Sequence, residues 1–256
     1  MQLSEYIELL PYDVAFWLAS LKEPGYPFEA QGDMSLEVSF KLRAVAVLFL
    51  LVRAETDVFH HNLIRSGILR EEYLTRCRAE SQTDDHHYAS GRLRPFFDAL
   101  ASGDTALAGR IAALSPLAFR QDHEYEDDYC YAQILHRLLQ PSPPAAEVQA
   151  LFQQFQGWLA GESSPRLDVC RALAARDQRA FEDAFEALLA DRKREITANI
   201  DRGQLEDAPV IADRRVFIEG LAILRLATLR GLRTLPDYPM CPSLARIPMR
   251  TPFPGE

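Results

Sequence analysis

The chain of 256 residues carries 37 acidic against 28 basic side chains, a formal net charge of −9, and 48% of its residues are hydrophobic. Those figures describe a globular protein that can bury a core without disulfide or metal staples, and they exclude disordered and fibrous classes. The acidic balance argues against nucleic acid as the direct ligand, because phosphate binding rests on a basic surface; a basic protein is the better match.

The charge is unevenly placed. Residues 1–128 hold 21 acidic and 12 basic side chains, whereas residues 129–256 hold 16 of each, so the whole excess lies in the first half. Met1 to Glu8 contain no lysine or arginine, and Pro11 and Asp13 interrupt the apolar residues that follow. No signal-peptide pattern results, and a cytoplasmic protein is expected. The longest apolar stretch, Ala44 to Val52, is nine residues, about half of the ~20 that span a bilayer, so it reads as a buried helix and no membrane partner is expected. Cys77, Cys130, Cys170 and Cys241 lie at least 40 residues apart with no CxxC pair, and are expected as reduced thiols packed like small hydrophobes.

In chain order, helical periodicity dominates and strict apolar alternation is almost absent, which predicts an all-α fold of about nine to ten helices in one domain, 1–256. An N-terminal helical segment occupies residues 1–30, with Pro11 starting its better helix and EPGYP at 23–27 stopping it. Asp33 or Ser35 then caps a long central helix to about Asn62 that ends near Gly67, followed by a polar helix from Glu71 to Arg78. After SQTDD, Asp84 or Asp85 caps a helix toward Leu100 in which Pro95 forces a kink or restart. Helices follow at 105–114, 128–139, 144–160, 165–175 and 178–201. A final one, at about 213–230, closes on Gly231 as a left-handed cap. The tail, 232–256, holds six prolines and is expected to be extended and packed on the helices. Ala99-Leu100-Ala101 with Asp104 repeats as Ala172-Leu173-Ala174 with Asp177. Each reads as a helical hairpin turned at an Asp cap, which gives irregular stacked hairpins without a regular solenoid.

Two patterns suggest metal. Asp57/His60 and Asp84/His87 have the i,i+3 spacing that puts a carboxylate and an imidazole on one helix face. Against this, none of the 19 glutamates has a histidine three positions on, and adjacent histidines such as His86-His87 point about 100° apart on a helix, so they do not chelate together. The primary reading therefore assigns no metal, no cofactor and no catalytic residues. An all-α metal-dependent enzyme using Asp57, His60, Asp84, His86 and His87 is the alternative, with a helical-repeat scaffold as a further one. No GxSxG, GxG or paired Cys/His motif occurs.

The sharpest local anomaly is Asp122-His-Glu124-Tyr125-Glu126-Asp127-Asp128-Tyr129, with five carboxylates in seven positions and no lysine or arginine. One reading is that Glu126, Asp127 and Asp128 favour the first turn of the helix that follows. The functional one is a docking surface, in which the acidic side chains steer a basic partner while Tyr125 and Tyr129 supply contact area. In the last helix Glu219 lies among apolar residues with Arg215 four positions before it, the pattern of an internal ion pair, and Gly220 allows a close crossing.

The segment FIEGLAILRLATLRGL with Tyr238, Cys241-Pro242 and Ala245-Arg246 resembles the C-terminal region of the immunity protein 49 family of bacterial polymorphic-toxin systems, and the hairpin at 99–104 is similar to that family's middle. The resemblance spans roughly 35–250. It implies a non-enzymatic cytoplasmic helical protein that binds a cognate toxin domain, such as a type VI secretion effector, and blocks it. Many such toxins act on nucleic acids or nucleotides through basic faces, which an acidic partner complements.

Overall fold

The computed structural model describes residues 6–203 and 207–254. It is all-α, with eleven α-helices and no strand among the described residues. The helices are α1 (Leu9–Leu21), α2 (Phe28–Arg53), α3 (Thr56–Ala79), α4 (Arg94–Ser102), α5 (Thr105–Leu114), α6 (Glu126–Leu138), α7 (Ala145–Trp158), α8 (Pro165–Ala175), α9 (Gln178–Asp201), α10 (Ala208–Arg215) and α11 (Ile218–Leu229). Buried apolar side chains from every one of them join a single continuous cluster. Among the described residues no helix is long and apolar enough to cross a membrane.

The centre differs from the sequence expectation. The expected helix to Asn62 is broken at Ala54, which takes a left-handed conformation (φ 55°) and turns α2 back on α3. Gly67 does not end a helix either. It sits inside the 24-residue α3, where a Cβ would lie 2.7 Å from Leu107 Cδ2 and 3.1 Å from Ala99 Cβ, so it is the close crossing of α3 with α4 and α5. The expected polar helix at 71–78 is simply the end of α3. The expected helix from Asp84 is reduced to a three-residue 3-10 turn, His86–Tyr88, and the chain restarts as α4 with Pro95 in its first turn.

Both hairpins of the internal repeat form. Asp104 accepts the N–H of Leu107 at 2.9 Å and Asp177 that of Ala180 at 3.0 Å. The left-handed residue is Gly103 in the first and Arg176 in the second. The expected last helix is two, separated at Val216 and Phe217, and the crossing that Gly220 permits is made by the tail, whose Cys241 Sγ would lie 2.7 Å from a Cβ there. The tail is less extended than expected. It forms a bridge between Tyr238 and Cys241 and a 3-10 turn at Ser243–Arg246. Cys241 and Ala245 enter the core, and the tail is pinned to α3 where Asp57 accepts the N–H groups of Arg250 (2.8 Å) and Thr251 (3.0 Å).

All four cysteines are free and buried. Burial pushes the thiols of Cys130 and Cys241 up to about 12.

Candidate functional site

The N-terminal ends of three helices, α4, α6 and α8, meet the side of α9 and the break between α10 and α11. Between them lies a cleft of about 640 Å³ lined by Arg43, Arg92, Arg94, Asp127, Asp128, Arg166, Arg192, Asp213 and Glu219, among others. A second hollow of about 440 Å³ adjoins it, shares Gly91, Arg92 and Asp128 with it, and is walled by residues 121–126. The acidic connector therefore forms the rim of a continuous groove.

Two ionic clusters fix the cleft walls. In the first, buried Arg43 reaches Asp98 at 2.7 Å and Asp213 at 3.4 Å, and also donates to the carbonyl of Arg94 at 2.7 Å. Ser66 donates to Asp98 at 2.5 Å, and Arg192 pairs with both Asp213 and Glu195. Burial works to raise the Asp213 pKa, but the guanidiniums of Arg43, Arg192 and Arg94 outweigh it and hold the carboxyl below its usual range. In the second, Arg166 donates two parallel hydrogen bonds to Glu219, each 2.9 Å, and a third to Asp128 at 3.1 Å, while the Tyr131 hydroxyl donates to Glu219 at 3.1 Å. The internal pair foreseen for Glu219 exists, with Arg166 of α8 in place of Arg215. A bidentate pair of this kind fixes orientation as well as distance.

Of the connector residues, Asp122, Tyr125, Glu126 and Asp127 are exposed, Tyr125 by 76%. The other three turn inward. Glu124 accepts the N–H of Gly91 at 2.7 Å and the hydroxyl of Ser90 at 3.1 Å, and burial raises its pKa against those two bonds. Asp128 pairs with Arg166, and burial likewise raises its pKa against the pull of that arginine. Tyr129 is buried, with its hydroxyl donating to the carbonyl of Leu117 at 2.7 Å and its ring against Phe119 and Trp158. The exposed part of the connector is thus Asp122, Tyr125, Glu126 and Asp127, and the inward three anchor it.

The metal alternative is rearranged. Asp57 and His60 serve the tail, His60 Nε2 lying 2.8 Å from the carbonyl oxygen of Ile247. Asp84 lies outside any helix and pairs with Arg120 at 3.0 Å, so it shares no helix face with His87. The argument from helix geometry against the adjacent histidines does not hold here. In the 3-10 turn the rings of His86 and His87 come together, with centroids 3.7 Å apart, and Asp85 joins them. His136 is buried against Phe96, and its pKa falls to about 3, because burial disfavours the charged ring and the Arg137 and Arg70 charges repel a proton.

No curated protein and no solved structure matches the chain. The profile of the family described as immunity protein 49 matches residues 42–245, which takes in α3 to α11, the cleft, the connector and the first part of the tail. The chain belongs to the immunity protein 49 family, and is an immunity protein.

Proposed function

We propose that this protein neutralises a cognate antibacterial toxin domain by forming a stoichiometric complex with it in the cytoplasm, through the groove and its acidic rim. The observation that carries the reading is the exposed set Asp122, Tyr125, Glu126 and Asp127 beside a cleft whose walls are already fixed by ion pairs. Carboxylates on the rim steer a basic toxin face into contact, which acts chiefly on the association rate. Tyr125 supplies rigid contact area at low entropic cost. Clustered like charges repel one another, a cost that a waiting basic partner offsets. A nuclease or a nucleotide-modifying enzyme presents such a basic face, and neither inhibition nor docking asks any bond-making chemistry of the immunity protein. Delivery of the toxin by a neighbouring cell, through a type VI apparatus or a similar one, fits the same role.

The test is the association kinetics of the purified protein with its toxin domain. Glu126→Lys with Asp127→Lys is expected to slow association about tenfold at low ionic strength, with a smaller effect at high salt, where such charges are screened. Tyr125→Ala is expected to speed dissociation. Unchanged association at low salt refutes the rim as the docking surface. Failure of the wild-type chain to protect cells that express the toxin refutes neutralisation itself.

A further inference from the structure

The turn between α3 and α4 carries a group of side chains that lies outside the proposed docking surface. Asp85, His86 and His87 each offer one ligand atom, and the three atoms lie within 4.8 Å of one another. The carboxylate is pre-set from two sides. Tyr73 on α3 donates its hydroxyl to Asp85 Oδ2 at 2.8 Å, and the N–H of His87 reaches Oδ1 at 2.8 Å. Asp85 Oδ1 and His86 Nδ1 are 3.6 Å apart. Two donors on a tetrahedral zinc ion, each about 2.1 Å from it, stand about 3.4 Å apart, so this pair already has the span of a metal.

His87 completes the set. Its Nδ1 is buried and makes no hydrogen bond, and its ring lies beside that of His86 with planes inclined by 43°. Gly32 on α2 is what lets this turn approach so closely: a Cβ there would lie 2.6 Å from Asp85 Oδ2 and 2.9 Å from the His87 side chain. Behind the donors, Arg70 holds the carbonyls of His87 and Ala89, at 2.6 and 2.8 Å, so the backbone of the turn is braced independently of any ion. Outer contacts of this kind orient ligands at metal centres. His86, about half exposed, leaves one side open to solvent for entry and for a fourth, water ligand.

We propose that Asp85, His86 and His87 form a three-donor site for a divalent transition ion of the zinc class. Two imidazoles and one carboxylate suit zinc, nickel or copper, and are too few and too nitrogen-rich for calcium or magnesium. The carbonyl of His86 accepts from Arg92 at 3.4 Å, and the same guanidinium donates to the carbonyl of His123 in the connector at 3.3 Å. A bound ion therefore stiffens the loop against which the connector rests. Its role is structural, and it stands or falls separately from toxin binding.

The experiment is calorimetric titration of zinc chloride into the full chain after chelator treatment and dialysis, with magnesium chloride as the comparison. One zinc per chain is expected at micromolar affinity, with no heat from magnesium. His86→Ala, at an exposed position, is expected to keep the wild-type helical circular dichroism and to weaken zinc binding at least tenfold. Asp85→Asn is expected to weaken it as well. His61→Ala, on the tail side of α3, is the control and is expected to bind as wild type. Absence of stoichiometric zinc binding overturns the proposal, as does a His86→Ala protein that binds unchanged or a His61→Ala protein that loses binding equally.

Discussion

Both carboxylate oxygens of Glu219 are held by one guanidinium, that of Arg166, 53 residues earlier in the chain. The glutamate side chain is 10% exposed and the arginine 38%, so the pair straddles the core boundary at the cleft wall. Glu219→Ala leaves Arg166 with Asp128 alone and the Tyr131 hydroxyl without its acceptor. Because the arginine keeps access to water, the expected loss is about 2 kcal/mol, below that of a fully buried pair. In a chain of this size it lowers Tm by roughly 4–8 °C. The double variant Arg166→Met with Glu219→Met is expected to recover most of the loss. Thermal denaturation of the wild type, Glu219→Ala and the double variant decides it, and equal losses in the single and double variants would show that the pair is not the source.

Charge substitutions in the connector are expected to divide by direction. Glu124→Lys removes the acceptor of Gly91 and Ser90 and sets an ammonium in their place, with an expected loss of about 2 kcal/mol in urea denaturation. Glu126→Lys and Asp127→Lys face solvent at the start of α6 and forfeit only a favourable interaction with the helix N-terminus, roughly 0.3–1 kcal/mol each. A Glu124→Lys protein as stable as wild type would mean that the inward hydrogen bonds contribute nothing.

Gly67→Ala pits two effects against each other. Alanine is favoured over glycine within a helix by about 1 kcal/mol. The added methyl, however, would meet Leu107 and Ala99 inside a filled crossing, and overpacking costs about 1–3 kcal/mol. A net destabilisation of about 1 kcal/mol is expected, measured by urea denaturation. Stabilisation would show that Leu107 moves aside freely.

The acid limb of the stability curve has a named contributor. Burial holds the His136 pKa down to about 3 in the folded chain, against the ordinary 6.5 of a solvated histidine in the unfolded one. Its contribution is complete above pH 6.5, where neither state binds the proton. As pH falls toward 3 the unfolded chain takes up a proton that the folded one refuses, so stability drops by up to about 1.4 kcal/mol per pH unit across that window. Asp213, whose pKa is lowered in the folded chain, adds a loss in the same direction at lower pH. His136→Leu also removes a buried Nε2 that makes no hydrogen bond. It is expected to flatten the slope between pH 6.5 and 4, and urea midpoints across that range read it directly. A slope identical to wild type would assign the acid sensitivity to other groups.

Much of the fold from α5 onward was legible because its punctuation is chemical. Pro165 opens α8, Asp104 and Asp177 cap α5 and α9, and Gly231 turns the chain after α11. The α2–α3 turn was not, since it is made at Ala54, an exposed residue that favours helix and here takes a left-handed cap in which the N–H groups of Ala54 and Glu55 donate back to the carbonyls of Leu50 and Phe49. Gly67 misled in the opposite sense, being small for contact and not for turning. The connector's charge was plain in the sequence, but its division into inward and outward residues was not. The partners of Glu124 lie at positions 90 and 91, and that of Asp128 at 166, distances over which periodicity carries no information.

Thiols attack reagents as thiolates, and all four in this chain are enclosed in the core, with those of Cys130 and Cys241 held up to about 12. To maleimides and similar probes the folded surface is blank. A lone cysteine introduced as Tyr125→Cys would therefore accept a dye at one known point on the groove's rim, so that arrival of a partner could be watched without removing any native residue from the interior.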